Sequence, residues 1–249
     1  VADALLCPSD KPQSKLINAD DMGNHFRDKV SIIRAATASC EQPEIIEREC
    51  DPLTTFEPVS IDEVTAMIRK TPARSCSLDP IPSWFVKKYP AIFAPVLCRL
   101  CNLSLATGTL PKTLKCAIVR PRLKKPGLDP DAPQSYRPIS NLSYISKCVE
   151  RIVCRRFISH ADKHSLLPVR QSAYRRFHST ETAVLSVLND LVRAVDSGHV
   201  TLLVMLDLSA AFDTVDHQIL LSVLQRRFSV TGGALDWFRS YLTDREHYF

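Results

Sequence analysis

The stretch TLLVMLDLSAAFDTVDH at residues 201–217 constrains the fold more than any other part of the chain. Residues 200–206 form a continuous apolar run of seven residues, with Gly198 shortly before it and Asp207 directly after it. Such a bounded run is typical of a β-strand buried on both faces. Residues 216–228 repeat apolar side chains at helical spacing. We therefore expect Asp207 at the end of a buried strand, before a turn that leads to a helix.

A carboxylate held at the end of a rigid strand has two plausible uses. Mg²⁺ prefers oxygen ligands and commonly binds through one or two carboxylates together with substrate phosphates. Alternatively, Asp207 caps the turn or helix that follows it. The residues of this stretch alone leave both alternatives open.

Hydrophobic spacing upstream predicts several amphipathic helices and one further strand. Ser60 and Glu63 suggest a capping box at the start of one helix, and Gly108 suggests the end of another. Residues 39–58 read as a linker because they contain prolines and charges. The predicted helices lie within residues 24–36, 60–72, 77–111, 141–164 and 179–198, and the strand lies within residues 114–127.

Composition narrows the class of protein. The 249 residues are 45% hydrophobic and 24% charged, which is enough for one large or two modest domains with a real core. We expect no membrane partner, because no apolar run reaches the ~18 residues of a membrane helix. The nine cysteines lack a secreted-scaffold spacing and are expected to be reduced thiols in an intracellular protein. Cys98 and Cys101 form one C-x-x-C, which we interpret as two small apolar residues on a buried helix.

Charge is distributed unevenly along the chain. Residues 117–180 contain 13 Lys and Arg against 4 Asp and Glu, a net charge of +9, whereas the whole chain carries +5. The remaining residues therefore sum to −4. A basic segment in an otherwise acidic chain indicates contact with a polyanion, and a solvated surface is the alternative.

Several motifs occur in an order that resembles the reverse transcriptases of non-LTR retrotransposons. LDLSAAFDTVDHQILL (206–221) resembles their motif A. AIVRPRLKKPGLDP (117–130) and SYRPISNLSYISKCVERIV (135–153) resemble the fingers motifs. LLPVRQSAYRRFHSTETAVL (166–185) and WFRSYLTDR (237–245) resemble the segments on either side of motif A. The resemblance extends from about Ser60 to the last residue.

The resemblance implies a particular set of nucleotide contacts. Asp207 would be the first catalytic carboxylate of the palm and a ligand of two Mg²⁺ ions, with the Leu208 carbonyl as a further ligand. Phe212 would lie under the sugar and exclude a 2′-hydroxyl. The small residues Ala210 and Ala211 would let backbone N–H groups approach the incoming triphosphate. Lys125 and Arg137 of the fingers would bind that triphosphate, and Arg suits this because its planar fork stays charged.

The resemblance also implies a nucleic-acid surface on the basic segment. Tyr174 and Phe177 could stack on a base or could simply pack locally. Asp213 and Asp216 are expected in turn or helix-cap positions. Two residues depart from the family pattern: Ala173 replaces a glycine, and Arg122 stands where an apolar residue is common. The residues expected to hold the template backbone are Lys147, Arg151, Arg155, Arg170, Arg175 and Arg176.

The expected fold is α+β, as in a right-hand polymerase: fingers with an incomplete palm, preceded by a helical N-terminal extension. The expected ranges are an N-terminal linker and helical segment that is partly disordered (1–57), a helical extension (58–116), fingers (117–200) and a partial palm (201–249).

The later family motifs, which carry the other catalytic carboxylates, are not found in the sequence. We therefore expect a fragment of an RNA-directed DNA polymerase that does not polymerise by itself. The expected partners are an RNA template, a DNA primer and dNTPs, with Mg²⁺ as the only cofactor and the nucleus as the location. The alternative is a decayed or domesticated relic that binds RNA without catalysis.

Overall fold

The structure is a computed structural model that describes residues 18–41, 43–74, 76–208 and 210–249. Helices predominate. One short 3₁₀ turn precedes the first strand, and a second one precedes the second strand. The elements in chain order are α1 (Ala19–Thr37), α2 (Ile61–Lys70), α3 (Ser83–Lys88), α4 (Pro90–Thr107), β1 (Cys116–Leu123), β2 (Tyr136–Leu142), α5 (Tyr144–Lys163), α6 (Thr180–Asp196), α7 (His217–Arg226), α8 (Gly232–Leu242) and β3 (Glu246–Tyr248). This mixture confirms the α+β class.

Local capping chemistry sets the helix ends. The Ser60 hydroxyl accepts the backbone N–H of Glu63 at 3.1 Å, as predicted for the start of α2. The Glu63 carboxylate binds Arg156 rather than completing a capping box. The Ser143 hydroxyl accepts the Ser146 N–H at 3.2 Å and begins α5. Gly108 ends α4 with φ of 61°, a left-handed conformation that glycine adopts without steric cost.

The main hydrophobic core lies between α2, α4, α5 and α8. Trp237 of α8 is only 1% exposed, and its indole N–H donates to the Ser104 hydroxyl of α4 at 3.0 Å. Cys98 and Cys101 are free thiols buried on the inner side of α4, which confirms the prediction for this C-x-x-C. Burial raises the pKa of Cys101 to about 12, so this thiol stays protonated and unreactive at neutral pH.

Judged only by its 18 residues and its mean hydropathy of 1.4, the helix α4 is long and apolar enough to cross a membrane. The search for uninterrupted apolar runs did not find this helix, because it contains Arg99. Ala94, Leu97 and Cys101 of this helix lie in the hydrophobic core, as in the core helix of a folded domain.

The segment before α2 packs against the C-terminal helices. Leu53 forms a parallel bridge with Val230, and the Thr231 N–H donates to the Leu53 carbonyl at 2.9 Å. The Ala234 N–H donates to the Thr54 carbonyl at the same distance, which ties the first turn of α8 to this segment. Side chains from all four expected ranges, such as Phe56, Val64, Ile152 and Trp237, belong to one core cluster.

The three strands form one sheet. Its strand order is β2-β1-β3, with β1 antiparallel to β2 and parallel to β3. Ala117 and Val119 on one face of β1 are buried, and the neighbouring residues of the other face are more exposed. The predicted strand within residues 114–127 is therefore confirmed as β1.

The predicted buried strand at residues 200–206 is wrong. Residues 200–208 have no regular secondary structure, and Val204 is 68% exposed. The preceding helix α6 likewise has no buried residue along its described length. A strand buried on both faces needs strands beside it and layers above and below, and the described sheet is complete as β2-β1-β3. The local pattern encodes only a tendency to be buried, which tertiary contacts must satisfy.

Candidate functional site

The acidic turn after residue 206 is open to solvent. Asp207 and Leu208 are exposed, and Ser209 lies outside the described residues. Ala210 has φ of 53°, and its carbonyl accepts the backbone N–H groups of Asp213 at 2.9 Å and Thr214 at 3.1 Å. This single turn contains Ala210 and Ala211 and lies between Asp207 and Asp213. The left-handed backbone of Ala210 costs energy for a residue with a Cβ, and such strain is common at functional sites.

The aromatic residue of this turn meets the basic loop that precedes α6. Phe212 is 76% exposed, and its ring lies edge-on to the ring of Tyr174, with centroids 6.1 Å apart. The φ of Tyr174 is 60°, whereas Ala173 is not in the left-handed region. The left-handed conformation in this loop therefore lies at Tyr174 and not at Ala173, where the family pattern has glycine. Phe212 and Tyr174 form a small exposed aromatic contact that joins two predicted site segments.

The acid at position 216 has a structural task. The Asp216 carboxylate accepts the backbone N–H groups of Gln218 at 2.8 Å and Ile219 at 3.1 Å at the start of α7. These two bonds hold the pKa of Asp216 below its usual range. Its predicted helix-cap position is confirmed. Asp213 lies close enough to His247 of β3 to affect its pKa. Burial and the charge of Arg245 lower the pKa of His247, and the charge of Asp213 opposes that shift.

The fingers residues predicted to bind a triphosphate lie on and beside the β1–β2 hairpin. Arg137 is exposed in β2, and Lys125 is exposed just beyond the end of β1. The neighbouring Lys124 ammonium donates to the Gln134 carbonyl at 2.7 Å, which ties the two ends of the connecting loop. Gly127 turns that loop with φ of 84°.

The described contacts do not join the acidic turn to this hairpin. Asp207 forms no ion pair with Lys125 or Arg137 among the described residues. The described ranges also contain no group of three His, Cys, Asp or Glu side chains that could hold a metal ion. The Asp207 carboxylate and the Leu208 carbonyl are too few oxygen ligands for two Mg²⁺ ions. The residues present therefore do not fit the pair of ions that the resemblance implies.

Much of the basic side of α5 is used to hold α2. Two nitrogens of Arg156 bind both carboxylate oxygens of Glu63, at 2.7 Å and 3.1 Å, and Arg155 lies 3.8 Å from the same group. Arg151 donates to the hydroxyl of Thr71 at the end of α2. Arg151 and Arg155 are thus partly occupied within the chain, whereas the Lys147 side chain one turn earlier contacts no acidic partner closely in the described residues.

The arginines of the loop before α6 make local contacts. Arg170 forms an ion pair with Asp190 of α6 at 2.7 Å. Arg175 donates to the Pro168 carbonyl at 3.0 Å, and the Arg176 guanidinium lies 4.6 Å from the centroid of the Phe177 ring. Tyr174 and Phe177 are both strongly exposed. The arrangement of exposed rings and cations suits contact with bases and phosphates, and the individual assignments stay predictions.

Sequence reasoning missed two features near these segments. Glu150 lies on α5 between Lys147 and Arg151, is half-buried, and accepts the Tyr241 hydroxyl at 2.8 Å. Burial raises its pKa, and the Tyr241 bond opposes that rise. Asp79 accepts the backbone N–H groups of Cys76 at 2.8 Å and Tyr144 at 2.5 Å, which positions the start of α5. In both cases the sequence shows a single acidic residue in a basic or apolar stretch, and this pattern could have indicated a structural role.

The geometry first defines a broad class. An exposed cationic hairpin, exposed rings beside arginines and an acid-containing turn occur within one α+β chain, and this combination suits contact with phosphate-bearing ligands. Residues 123–248 match the family described as reverse transcriptase (RNA-dependent DNA polymerase).

Curated relatives agree with the family match. The chain is 28% identical over 230 residues to the probable RNA-directed DNA polymerase from transposon BS of Drosophila melanogaster. It is 30% identical over 166 residues to the corresponding protein from transposon X-element, and 29% identical over 171 residues to the polymerase from mobile element jockey, both of the same organism. These matches cover 91%, 67% and 68% of this chain and 25%, 18% and 19% of the relatives.

The chain therefore belongs to the reverse transcriptase family, and the resemblance to the non-LTR retrotransposon branch is confirmed. It spans about a quarter of the length of the transposon BS relative. Members of this family generally use divalent metal ions.

Proposed function

We propose that this chain contributes the nucleotide-binding hairpin and the first acidic turn of an RNA-directed DNA polymerase of a non-LTR retrotransposon. The observation that carries the proposal is the family match over residues 123–248, which includes both Arg137 and Asp207. The expected partners are an RNA template, a DNA primer and dNTPs, and the expected location is the nucleus because the DNA target of such an element is chromosomal.

The proposed reaction is nucleotidyl transfer. The primer 3′-oxygen forms a bond to the α-phosphorus of the dNTP, the bond to the β-phosphate oxygen breaks, and pyrophosphate leaves. Arg137 and Lys125 bind the triphosphate and offset the negative charge that grows on the leaving group. Phe212 lies beneath the sugar, and the small side chains of Ala210 and Ala211 leave the backbone of their turn accessible.

Asp207 is the proposed catalytic carboxylate and metal ligand of this reaction, but it cannot complete a metal site with the described residues alone. We propose that it serves catalysis together with carboxylates from additional polypeptide, and that the 249 residues by themselves do not incorporate nucleotides. A divalent cation, with Mg²⁺ as the proposed ion, would supply charge stabilisation at the phosphates when bound.

A chimaera tests this assignment. The aligned region of the transposon BS relative is replaced by this chain, and dNTP incorporation on a primed RNA template is measured. Asp207→Asn keeps the size of the side chain and removes its charge, so we expect it to abolish incorporation. Asp196→Asn is the matched control, because Asp196 is an exposed carboxylate at the last turn of α6 and should leave incorporation unchanged. Full incorporation by Asp207→Asn would refute the proposed function.

A second candidate function is RNA binding without chemistry. The observation that favours it is the excess of cations in residues 117–180 together with the lack of a metal-ligand cluster in the described ranges. Binding of a single-stranded RNA by the whole chain would then weaken steeply with salt. It would not change with Asp207→Asn, and Mg²⁺ would act only as a competing counterion; this independence from Asp207 separates the two candidates.

A further inference from the structure

Two arginines face each other across the β1–β2 hairpin. The strand register pairs Arg122 with Arg137, and the adjacent pair is Pro121 with Pro138. The resemblance implies a triphosphate contact for Arg137 but none for Arg122, a position that is commonly apolar in the family. In this chain the register places the two arginines directly opposite each other.

The two prolines determine the hydrogen-bonding of the hairpin at this point. Proline has no N–H, so Pro121 and Pro138 cannot exchange the two bonds of a hydrogen-bonded pair. Antiparallel pairs alternate between bonded and non-bonded, which makes Arg122 and Arg137 a hydrogen-bonded pair. The Lys124 N–H donates to the Ser135 carbonyl at 2.9 Å, two residues further along, as this alternation requires. The Cα atoms of a bonded pair lie about 5.5 Å apart, and both side chains project from the same face.

That face points away from the protein. Ala117 and Val119 on the other face of β1 are buried, and Arg122 and Arg137 are both exposed. Neither arginine forms an ion pair within the described ranges of the chain. Like charges directly opposite each other in a sheet repel and destabilise it. A bound anion that contacts both guanidinium groups removes this repulsion.

We propose that Arg122 and Arg137 together bind the phosphate groups of one polyanionic ligand. Each guanidinium presents a planar fork of N–H donors that matches a phosphate, and the shared face lets one ligand contact both. The ligand is the triphosphate of a nucleotide or the phosphate backbone of a nucleic-acid strand, which share this chemistry. The inference rests on the proposed function for the contact of Arg137 with a triphosphate, and it adds Arg122 as a second contact.

Thermal unfolding of the whole chain with inorganic tripolyphosphate, at constant ionic strength, tests the pair. A ligand that binds only the folded state raises the melting temperature, and the rise reports its Kd. Arg122→Gln should weaken tripolyphosphate binding about tenfold or more, because it removes charge-assisted bonds. Without the anion, the same variant should melt no lower than the original chain. Arg99→Gln, at an exposed position on α4, is the control for loss of one positive charge.

The remaining arms identify the ligand and separate this inference from the proposed function. If a dNTP raises the melting temperature in an Arg122-dependent way and single-stranded RNA does not, the ligand is a nucleotide. If single-stranded RNA gives this rise and a dNTP does not, the ligand is a nucleic-acid strand. Equal binding by Arg122→Gln and the original chain, with loss of binding in Arg137→Gln, overturns the pair and leaves the proposed triphosphate contact in place. Unchanged binding in both variants overturns the pair and that contact together.

Discussion

The partly buried contact between Glu150 and Tyr241 makes the sharpest prediction about stability. The Tyr241 hydroxyl donates to the Glu150 carboxylate at 2.8 Å, and its ring stacks on Trp237 with centroids 5.3 Å apart. The Arg245 guanidinium lies 4.6 Å from the centroid of the same ring. Tyr241→Phe keeps both ring contacts and removes only the hydroxyl, so it isolates one hydrogen bond between α8 and α5.

The magnitude follows from the charge of the acceptor. A hydrogen bond to a charged group contributes about 1.5–3 kcal/mol, compared with about 0.5–1.5 kcal/mol for a neutral one. We expect Tyr241→Phe to lower the free energy of unfolding by about 1.5–3 kcal/mol at pH values above the folded-state pKa of Glu150, where the carboxylate is ionised. In a chain of this size, 1 kcal/mol corresponds to about 2–4 °C in melting temperature.

The direction of the pH dependence follows from the pKa of Glu150. Burial raises this pKa in the folded state above its unfolded value of about 4.3. The protonated acid therefore favours folding: its contribution is complete below the unfolded pKa and is lost as the pH rises through the folded pKa. Tyr241→Phe removes a hydrogen bond that lowers the pKa of Glu150, so the variant should lose more stability than the original chain as the pH rises. The variant should be least harmful at acidic pH.

Urea unfolding followed by tryptophan fluorescence measures this effect at several pH values. Glu150→Gln is the matched background, because Gln keeps an acceptor for Tyr241 but cannot ionise. In that background the cost of Tyr241→Phe should fall to about 0.5–1.5 kcal/mol and should not change with pH. An equal, pH-independent cost in both backgrounds would show that the charge of Glu150 does not contribute, and would refute the reasoning.

Two pairs of substitutions test the left-handed backbone at Gly108 and the exposure of residues 200–206. Gly108→Ala should cost about 1–3 kcal/mol, because a Cβ would strain the left-handed backbone and lie 2.9 Å from the Gly233 carbonyl oxygen. Gly198→Ala meets no atom within 4 Å and should show only the backbone part of that cost in thermal unfolding. Val204→Thr should change the free energy of unfolding by less than about 0.5 kcal/mol, because the side chain is exposed. Val149→Thr, at a fully buried position, should cost about 1–3 kcal/mol, and equal costs at both valines would contradict the exposure of residue 204.

The sequence alone determined most of the helices and several of their ends, but it did not predict α8 or the start of α1 at Ala19. Ser60, Ser143 and Gly108 act within one helical turn, so their chemistry is readable from neighbouring residues. The strand β1 was equally clear, because it is short, contains β-branched residues and is followed by Pro126 and Gly127. The family was also readable, since several ordered motifs identify it without knowledge of any contact.

Tertiary structure decided which apolar and charged groups have partners. Residues 200–206 carry the pattern of a buried strand but remain exposed, because burial depends on distant layers rather than on neighbouring residues. Arg155 was predicted to hold the template backbone, and only the packing of α2 placed Glu63 beside it. Arg122 was only a departure from the family pattern until the register placed Arg137 opposite it. Periodicity shows which face of an element is apolar, whereas packing and register, which join residues far apart in the chain, decide what that face meets.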